Sequence, residues 1–209
     1  ALITDPLLLV ADEPTGSLDS QTASEVFDVF EDFAAQGTSI LLVTHDDHLA
    51  RRVQRTILLT DGEIVNEWLV KALPALSSTE LLSISRQLAP FHFEAGQTII
   101  QQDTQPDRFY IITEGRVNVM LCRPDGHEVY VETLGAGQYF GEMALIHGGR
   151  RTATVRATAD APVTVVALEH DEFDQQIEAI PGLRTALQRE TARRLRTQVS
   201  LWSAWFEQR

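Results

Sequence analysis

Residues 140–155 read Phe-Gly-Glu-Met-Ala-Leu-Ile-His-Gly-Gly-Arg-Arg-Thr-Ala-Thr-Val. Gly141 opens this stretch and Gly148-Gly149 interrupts it, so the backbone can turn tightly and present N–H groups to an anion. Glu142 offers acceptor oxygens suited to a sugar hydroxyl, and Arg151 brings a rigid fork of donors suited to phosphate oxygens. The apolar residues between them predict a short helix over 143–146, and a helix start is itself a seat for an anion. The competing reading is that Glu142 and Arg151 simply pair with each other at a loop end.

Outward from this segment, from about residue 90, short alternating strands recur, punctuated by Gly96, Gly115, Pro124-Asp125-Gly126, Gly135, Gly137 and Pro162. Such spacing predicts an antiparallel roll or sandwich. Ahead of it, Ser77-Ser78-Thr79-Glu80 reads as the start of a helix over 81–88. Beyond Pro181 one long helix is predicted, in which Leu183, Leu187, Leu195, Val199, Trp202 and Phe206 keep steps of three and four and Thr191 fills the gap. Arg184, Arg189, Arg193, Arg194 and Arg196 on that helix read as a solvated face, with a docking patch as the alternative.

The 140–155 segment resembles the phosphate-binding cassette of cyclic-nucleotide-binding domains, whose pattern is roughly F-G-E-[LIM]-A-L, a spacer, then R-[AST]-A-[ST]-V. Supporting matches run through Phe93-Glu94-Ala95-Gly96-Gln97, through Phe109-Tyr110-Ile111-Ile112 into Glu114-Gly115-Arg116-Val117, and through 134–141, so the likeness covers about residues 80–178. The resemblance implies that Glu142 bonds the ribose 2'-hydroxyl, that Arg151 pairs with the cyclic phosphate, and that amides near Gly141, Met143 and Ala144 complete the cage. Arg150 stands where a proline is common, and Thr152 where alanine is frequent. The Thr152 hydroxyl could meet a purine edge, and cAMP and cGMP both remain open as the ligand. The long helix either folds over the base or pairs with a second copy, so a homodimer is expected through that helix or, as the alternative, through the first part of the chain.

The first 68 residues have another texture. The apolar run Leu7-Leu8-Leu9-Val10-Ala11, the helical spacing of Val26, Phe27, Phe30, Phe33 and Ala34, and the apolar run over 39–44 alternate as strand, helix, strand, which predicts a parallel α/β sheet. Strands are then expected over 56–60 and 64–68, joined by the turn Asp61-Gly62-Glu63. A strand closed by adjacent carboxylates, Asp12 and Glu13, can place one acid near a metal and the next near a water. Leu-Leu-Leu-Val-Ala-Asp-Glu-Pro-Thr-Gly-Ser-Leu-Asp-Ser over 7–20, with Thr44-His45-Asp46 further on, resembles the C-terminal half of an ABC-transporter ATPase domain. That resemblance implies Asp12 as the acid holding Mg through water, Glu13 as the acid polarising the attacking water, Asp19 in the loop that contacts a partner subunit, and His45 as the histidine reaching the γ-phosphate of ATP. No G-x-x-x-x-G-K-[ST] loop and no Leu-Ser-Gly-Gly stretch occurs in the 209 residues, so the chain as given is expected not to turn over ATP, while a longer parent would.

Composition sets the outer limits. The chain has 209 residues, 44% of them hydrophobic, a net charge of −13 and one cysteine, Cys122. An internal disulfide is therefore impossible, and a reducing compartment is expected. So acidic a chain, without a clustered basic stripe of the kind that grips a duplex, argues against nucleic-acid binding. No stretch is long or apolar enough to cross a bilayer. The chain opens on Ala1, without methionine or a signal-like segment, and is expected to be a piece of something longer.

The organisation expected is thus mixed: residues 1–71 as a partial α/β, P-loop NTPase-like domain, residues 72–180 as an antiparallel β-roll (jelly roll) with flanking helices, and residues 181–209 as the closing helix. The function expected is a cyclic-nucleotide sensor attached to the ATPase subunit of an ABC transporter. It would lie in the cytoplasm at the inner face of the membrane, through a transmembrane transporter partner. The alternatives are a ligand-free roll that tethers the motor to a partner, and a roll that functions alone beside a broken motor gene.

Overall fold

The computed structural model describes residues 6–50 and 52–207, and the chain falls into two compact units, Ala1–Thr56 and Ile57–Arg209. The sequence places the boundary near residue 72. The structure instead assigns the hairpin and helix of residues 57–72 to the second unit.

The first unit is one β-α-β element: β1 (Leu8–Asp12), α1 (Ser20–Ala35) and β2 (Ser39–Val43), followed by the short α2 (Asp47–Ala50). β1 and β2 are parallel, Leu8 opposite Ser39 and Asp12 opposite Val43, and α1 is the crossover that a parallel pair requires. Asp19 starts α1, its carboxylate accepting from the amides of Gln21 and Thr22 at 3.1 and 3.0 Å. α1 buries Ala23 and Phe27. In the sheet Leu9 is buried, but Leu8, Val10, Leu41 and Val43 are 51–60% exposed. Unbroken apolar strands of this kind belong to sheets covered on both faces; among the described residues one face lies open. A β-α-β element is common to many α/β folds and does not by itself identify the ATP-hydrolysing one.

The second unit opens with β3 (Leu59–Thr60) and β4 (Glu63–Ile64). Asp61 and Gly62 both take positive φ, 51° and 78°, the primed turn that suits the twist of a two-residue hairpin. The strand expected over 64–68 stops at Ile64. Asn66 caps a helix instead, its side chain accepting from the amides of Trp68 and Leu69, and α3 (Glu67–Ala72) follows. α4 (Ser78–Ser85) begins with the expected capping box, Ser77 with Glu80.

The roll comprises β5 (Ala89–Phe93), β6 (Thr98–Ile100), β7 (Arg108–Glu114), β8 (Arg116–Cys122), β9 (Glu128–Gly135), β10 (Tyr139–Phe140), β11 (Thr154–Ala157) and β12 (Val163–Glu169), with α5 (Glu142–His147) inserted between β10 and β11. It forms two antiparallel four-stranded sheets, ordered β10-β7-β12-β5 and β6-β11-β8-β9. α6 (His170–Ala179) and α7 (Pro181–Glu207) close the chain. α7 has 27 residues, about 40 Å of helix.

Period-two alternation explains the texture. On β7, Tyr110 and Ile112 join the core between the sheets with Val117, Val119 and Val165. Phe109 and Ile111 point to the other face and join a second core with Leu69, Leu81, Phe173 and Leu187. A sheet covered on both faces needs apolar residues at every position, so β7 reads as a run. β8 shows buried Val117, Val119 and Leu121 alternating with half-buried or exposed neighbours.

Candidate functional site

The first unit brings Glu13 and His45 together, Glu13 Oε1 lying 2.8 Å from His45 Nδ1. Glu13 follows the last residue of β1 and is held to β2 by its amide, which donates to the Val43 carbonyl at 2.9 Å. Its φ is +44°, a strained value for a residue with a side chain. The hydrogen bond to Glu13, and then its charge, hold the His45 pKa above the ordinary histidine value. Asp12 ends β1 and is exposed. Asp19, expected in a loop that contacts a partner, works here as the cap of α1. Among the described residues no group of three or more His, Cys, Asp or Glu side chains could hold a metal, and the sequence offers no amide cradle for the phosphates.

In the second unit the 140–155 segment closes one end of the roll. Gly141 precedes α5 with φ +88°, and a Cβ there would lie 2.9 Å from Arg151 Nη1 and 3.0 Å from the Arg108 carbonyl oxygen. Only glycine lets chain and guanidinium approach so closely. α5 runs from Glu142 to His147, one residue longer at each end than the sequence predicts, and its first turn has no earlier helical carbonyl to bond.

Arg151 is only 3% exposed. Its Nη1 donates to the Gly141 carbonyl at 2.6 Å, and Nη2 donates to Asp107 Oδ1 and the Arg108 carbonyl, both at 2.7 Å. Burial works to raise the Asp107 pKa, but the hydrogen bond and charge of Arg151 prevail and hold it below the ordinary aspartate value. Tyr110 adds its hydroxyl to the other Asp107 oxygen at 3.3 Å. The main chain of Arg151 is also fixed, donating to Thr104 and accepting from Asp103, both at 2.9 Å. The arginine is thus held in place by the chain's own groups.

Glu142 is 1% exposed and does not pair with Arg151. Its Oε1 accepts from Nη1 of Arg194 on α7 at 2.9 Å, and Arg194 Nε donates to Glu190 at 3.0 Å. Burial pushes the Glu142 carboxyl above the ordinary range, with Arg194 opposing. The Arg194 guanidinium also lies over the Tyr139 ring, 5.1 Å from its centre. The solvated face expected for the arginine cluster therefore fails at Arg194, which is 7% exposed. The buried line of α7 runs through Leu183, Leu187, Thr191 and Arg194, while Leu195 and Val199 are 37% and 59% exposed. The side chains of Trp202 and Phe206 lie outside the described residues.

Glu142 and Arg151 line one shared, open-mouthed cavity. Gly141, Met143 and Ala144 line it too, so the residues expected at the phosphate and sugar end are brought together, and Thr152, expected at the purine edge, lies on the same wall. Glu132 of β9 and Arg194 complete its polar wall, and Val119, Leu134 and Val155 its apolar one. The sequence reading missed Arg194, Glu132 and Asp107. Only Arg194 carried a signal: it falls seven residues after Leu187, on the apolar line of the helix.

Comparison with known proteins agrees with this geometry. Residues 90–179 match the family described as cyclic nucleotide-binding domain. An uncharacterized ABC transporter ATP-binding protein of Mycobacterium tuberculosis is 30% identical over 188 residues, covering 90% of this chain and 51% of its own length; the chain spans about half the length of the curated relatives it matches. The regulatory domain of Toxoplasma gondii PKA, crystallised with cAMP, superimposes with TM-score 0.55 and 26% identity, covering 60% of this chain and 48% of that one. The catabolite activator protein of Thermus thermophilus gives TM-score 0.55 and 26% identity, covering 67% and 63%. Residues 90–179 are a cyclic nucleotide-binding domain, with the antiparallel roll and flanking helices of that fold.

Proposed function

We propose that this domain binds a purine cyclic nucleotide, cAMP or cGMP, in the cavity between α5 and α7, and that within a longer protein it biases ATP-driven transport. The observation that carries the binding is the convergence of buried Glu142 and Arg151 on one cavity with a helix start between them. Arg151 offers the cyclic phosphate a charge already oriented by Asp107 and two carbonyls, which lowers the ordering cost of binding. Glu142 offers the ribose hydroxyl an acceptor. Because Glu142 also holds Arg194 of α7, a ligand that takes up Glu142 alters the grip of the cavity on that helix. Its effect extends only as far as its affinity differs between the two positions of α7.

The transporter side rests on the names of the relatives and on the Glu13–His45 pair. The partner proposed is a transmembrane transporter subunit or domain, reached at the cytoplasmic side of a membrane; no described helix is long and apolar enough to cross one. ATP and Mg would act only where the missing phosphate loop is supplied. Purified chain is expected to show no ATP hydrolysis; hydrolysis abolished by Glu13→Gln would overturn that.

A second reading has its own support: Arg194 satisfies Glu142 and Asp107 satisfies Arg151 from within the chain itself, as in a roll that only tethers. Calorimetry and thermal shift with cAMP and cGMP separate the two. A ligand at 100 times its dissociation constant adds about 2.7 kcal/mol of stability, and a tether gains none. Arg151→Lys keeps the charge but loses the fork, so it is expected to weaken binding by roughly one order of magnitude with the melting transition still cooperative. Unchanged affinity in that variant would remove Arg151 from the site.

A further inference from the structure

We propose that Glu132 selects the base, and that the ligand it selects carries guanine. This rests on the cyclic-nucleotide reading and deepens it. Five polar side chains line the cavity: Glu132, Glu142, Arg151, Thr152 and Arg194. Arg151 and Glu142 serve the phosphate and the sugar, and Arg194 is held at 2.9 and 3.0 Å by Glu142 and Glu190. Glu132 and Thr152 remain to face whatever the sugar carries.

Glu132 is fixed by its strand. It lies opposite Val119 of β8 and two residues from Leu134, and alternation puts Glu132, Leu134 and Val119 on the cavity wall. Among the described residues its carboxylate makes only long contacts, 3.4 Å to Arg193 Nη2 and 3.8 Å to Arg194 Nε. These two guanidinium groups offset its charge, yet among the described residues its lone pairs carry no short hydrogen bond. By contrast Glu190 accepts from Arg193 at 2.6 Å. Glu132 is therefore an acceptor with capacity left, on the wall of an otherwise mostly apolar recess.

An ionised carboxylate accepts only. Guanine presents N1–H and N2–H₂ side by side, two donors that one carboxylate can take together. Adenine presents one donor, its N6–H₂, beside the bare acceptor N1, whose lone pair repels the second oxygen. A bidentate pair of this kind discriminates bases by 1–3 kcal/mol, roughly 5- to 150-fold. The Thr152 hydroxyl, whose described contact is Met143 Sδ at 3.6 Å, can donate or accept and favours neither base.

The test is calorimetric titration of the whole chain with cGMP, cAMP and inosine 3',5'-cyclic monophosphate, which keeps N1–H and lacks the N2 amino group. Affinity is expected to fall in the order cGMP, inosine analogue, cAMP, with cGMP at least about fivefold tighter than cAMP. Glu132→Gln replaces one acceptor oxygen by a donor and is expected to bring the cGMP-to-cAMP ratio close to one. Equal affinity for the two nucleotides, a preference for cAMP, or a Glu132→Gln variant that shifts both alike overturns the role of Glu132 and leaves the cyclic-nucleotide reading standing. No binding of any of the three overturns both. The wild-type series needs no variant, so a misfolded Glu132→Gln does not rescue the idea.

Discussion

At the residue scale, Glu13 and His45 make a pair that can be measured directly. His45 is exposed, and its partner raises its pKa above the ordinary value. A histidine whose folded pKa is raised stabilises the folded form at pH values below its unfolded pKa, and that contribution is lost as pH rises through the folded value. NMR titration is expected to place His45 above the ordinary histidine range, and Glu13→Gln to return it there; a His45 curve identical in both proteins would show that the contact is absent in solution. The pair was half legible in sequence. Both residue types could be picked out from their motifs, but Glu13 with φ +44° could not, because its amide is held by a hydrogen bond to Val43 of β2, 30 positions along the chain.

Elements decide what the cavity feels. Residues 140–155 were readable because the groups that matter sit on one continuous segment, where spacing alone fixes their arrangement. Arg194 was hidden because its partner Glu142 lies 52 residues away and an arginine amid four others on a helix reads as solvated. The pair is buried at both ends, 1% and 8% exposed side chains, and breaking such a pair from one side strands a charge at a cost of about 3–5 kcal/mol. Arg194→Met is expected to destabilise the domain on that scale in urea unfolding. Glu142 already has a raised pKa, so its ionisation counts against the folded state: stability contributed by the neutral form is present below the ordinary carboxylate value and falls as pH rises through the folded pKa. Losing Arg194 should push that pKa higher and deepen the loss toward neutral pH. Adding Glu142→Gln should restore most of the stability and flatten the pH dependence; an unchanged pH profile in Arg194→Met would mean that Glu142 is not charged opposite it.

For the whole molecule, the division at Thr56 and Ile57 differs from the sequence boundary because α3 carries its apolar side into the roll. Val65 and Leu69 are fully buried in one core with Phe109, Ile177 and Leu187. Leu73 and Leu76, on either side of Pro74, are buried in the same core. A chain starting at residue 57 is expected to keep the melting behaviour of the roll, and one starting at residue 72 to lose roughly 3–6 kcal/mol, at about 1.5–3 kcal/mol for each of the two lost core side chains. Equal stability of the two by denaturant titration would return the boundary to residue 72. The open face of β1 and β2 bears on handling as well. Four branched aliphatic side chains arrayed on a two-stranded ribbon are a surface that water wets poorly, so the purified protein should grow turbid with concentration sooner than its strongly negative charge suggests, and mild detergent should clear it.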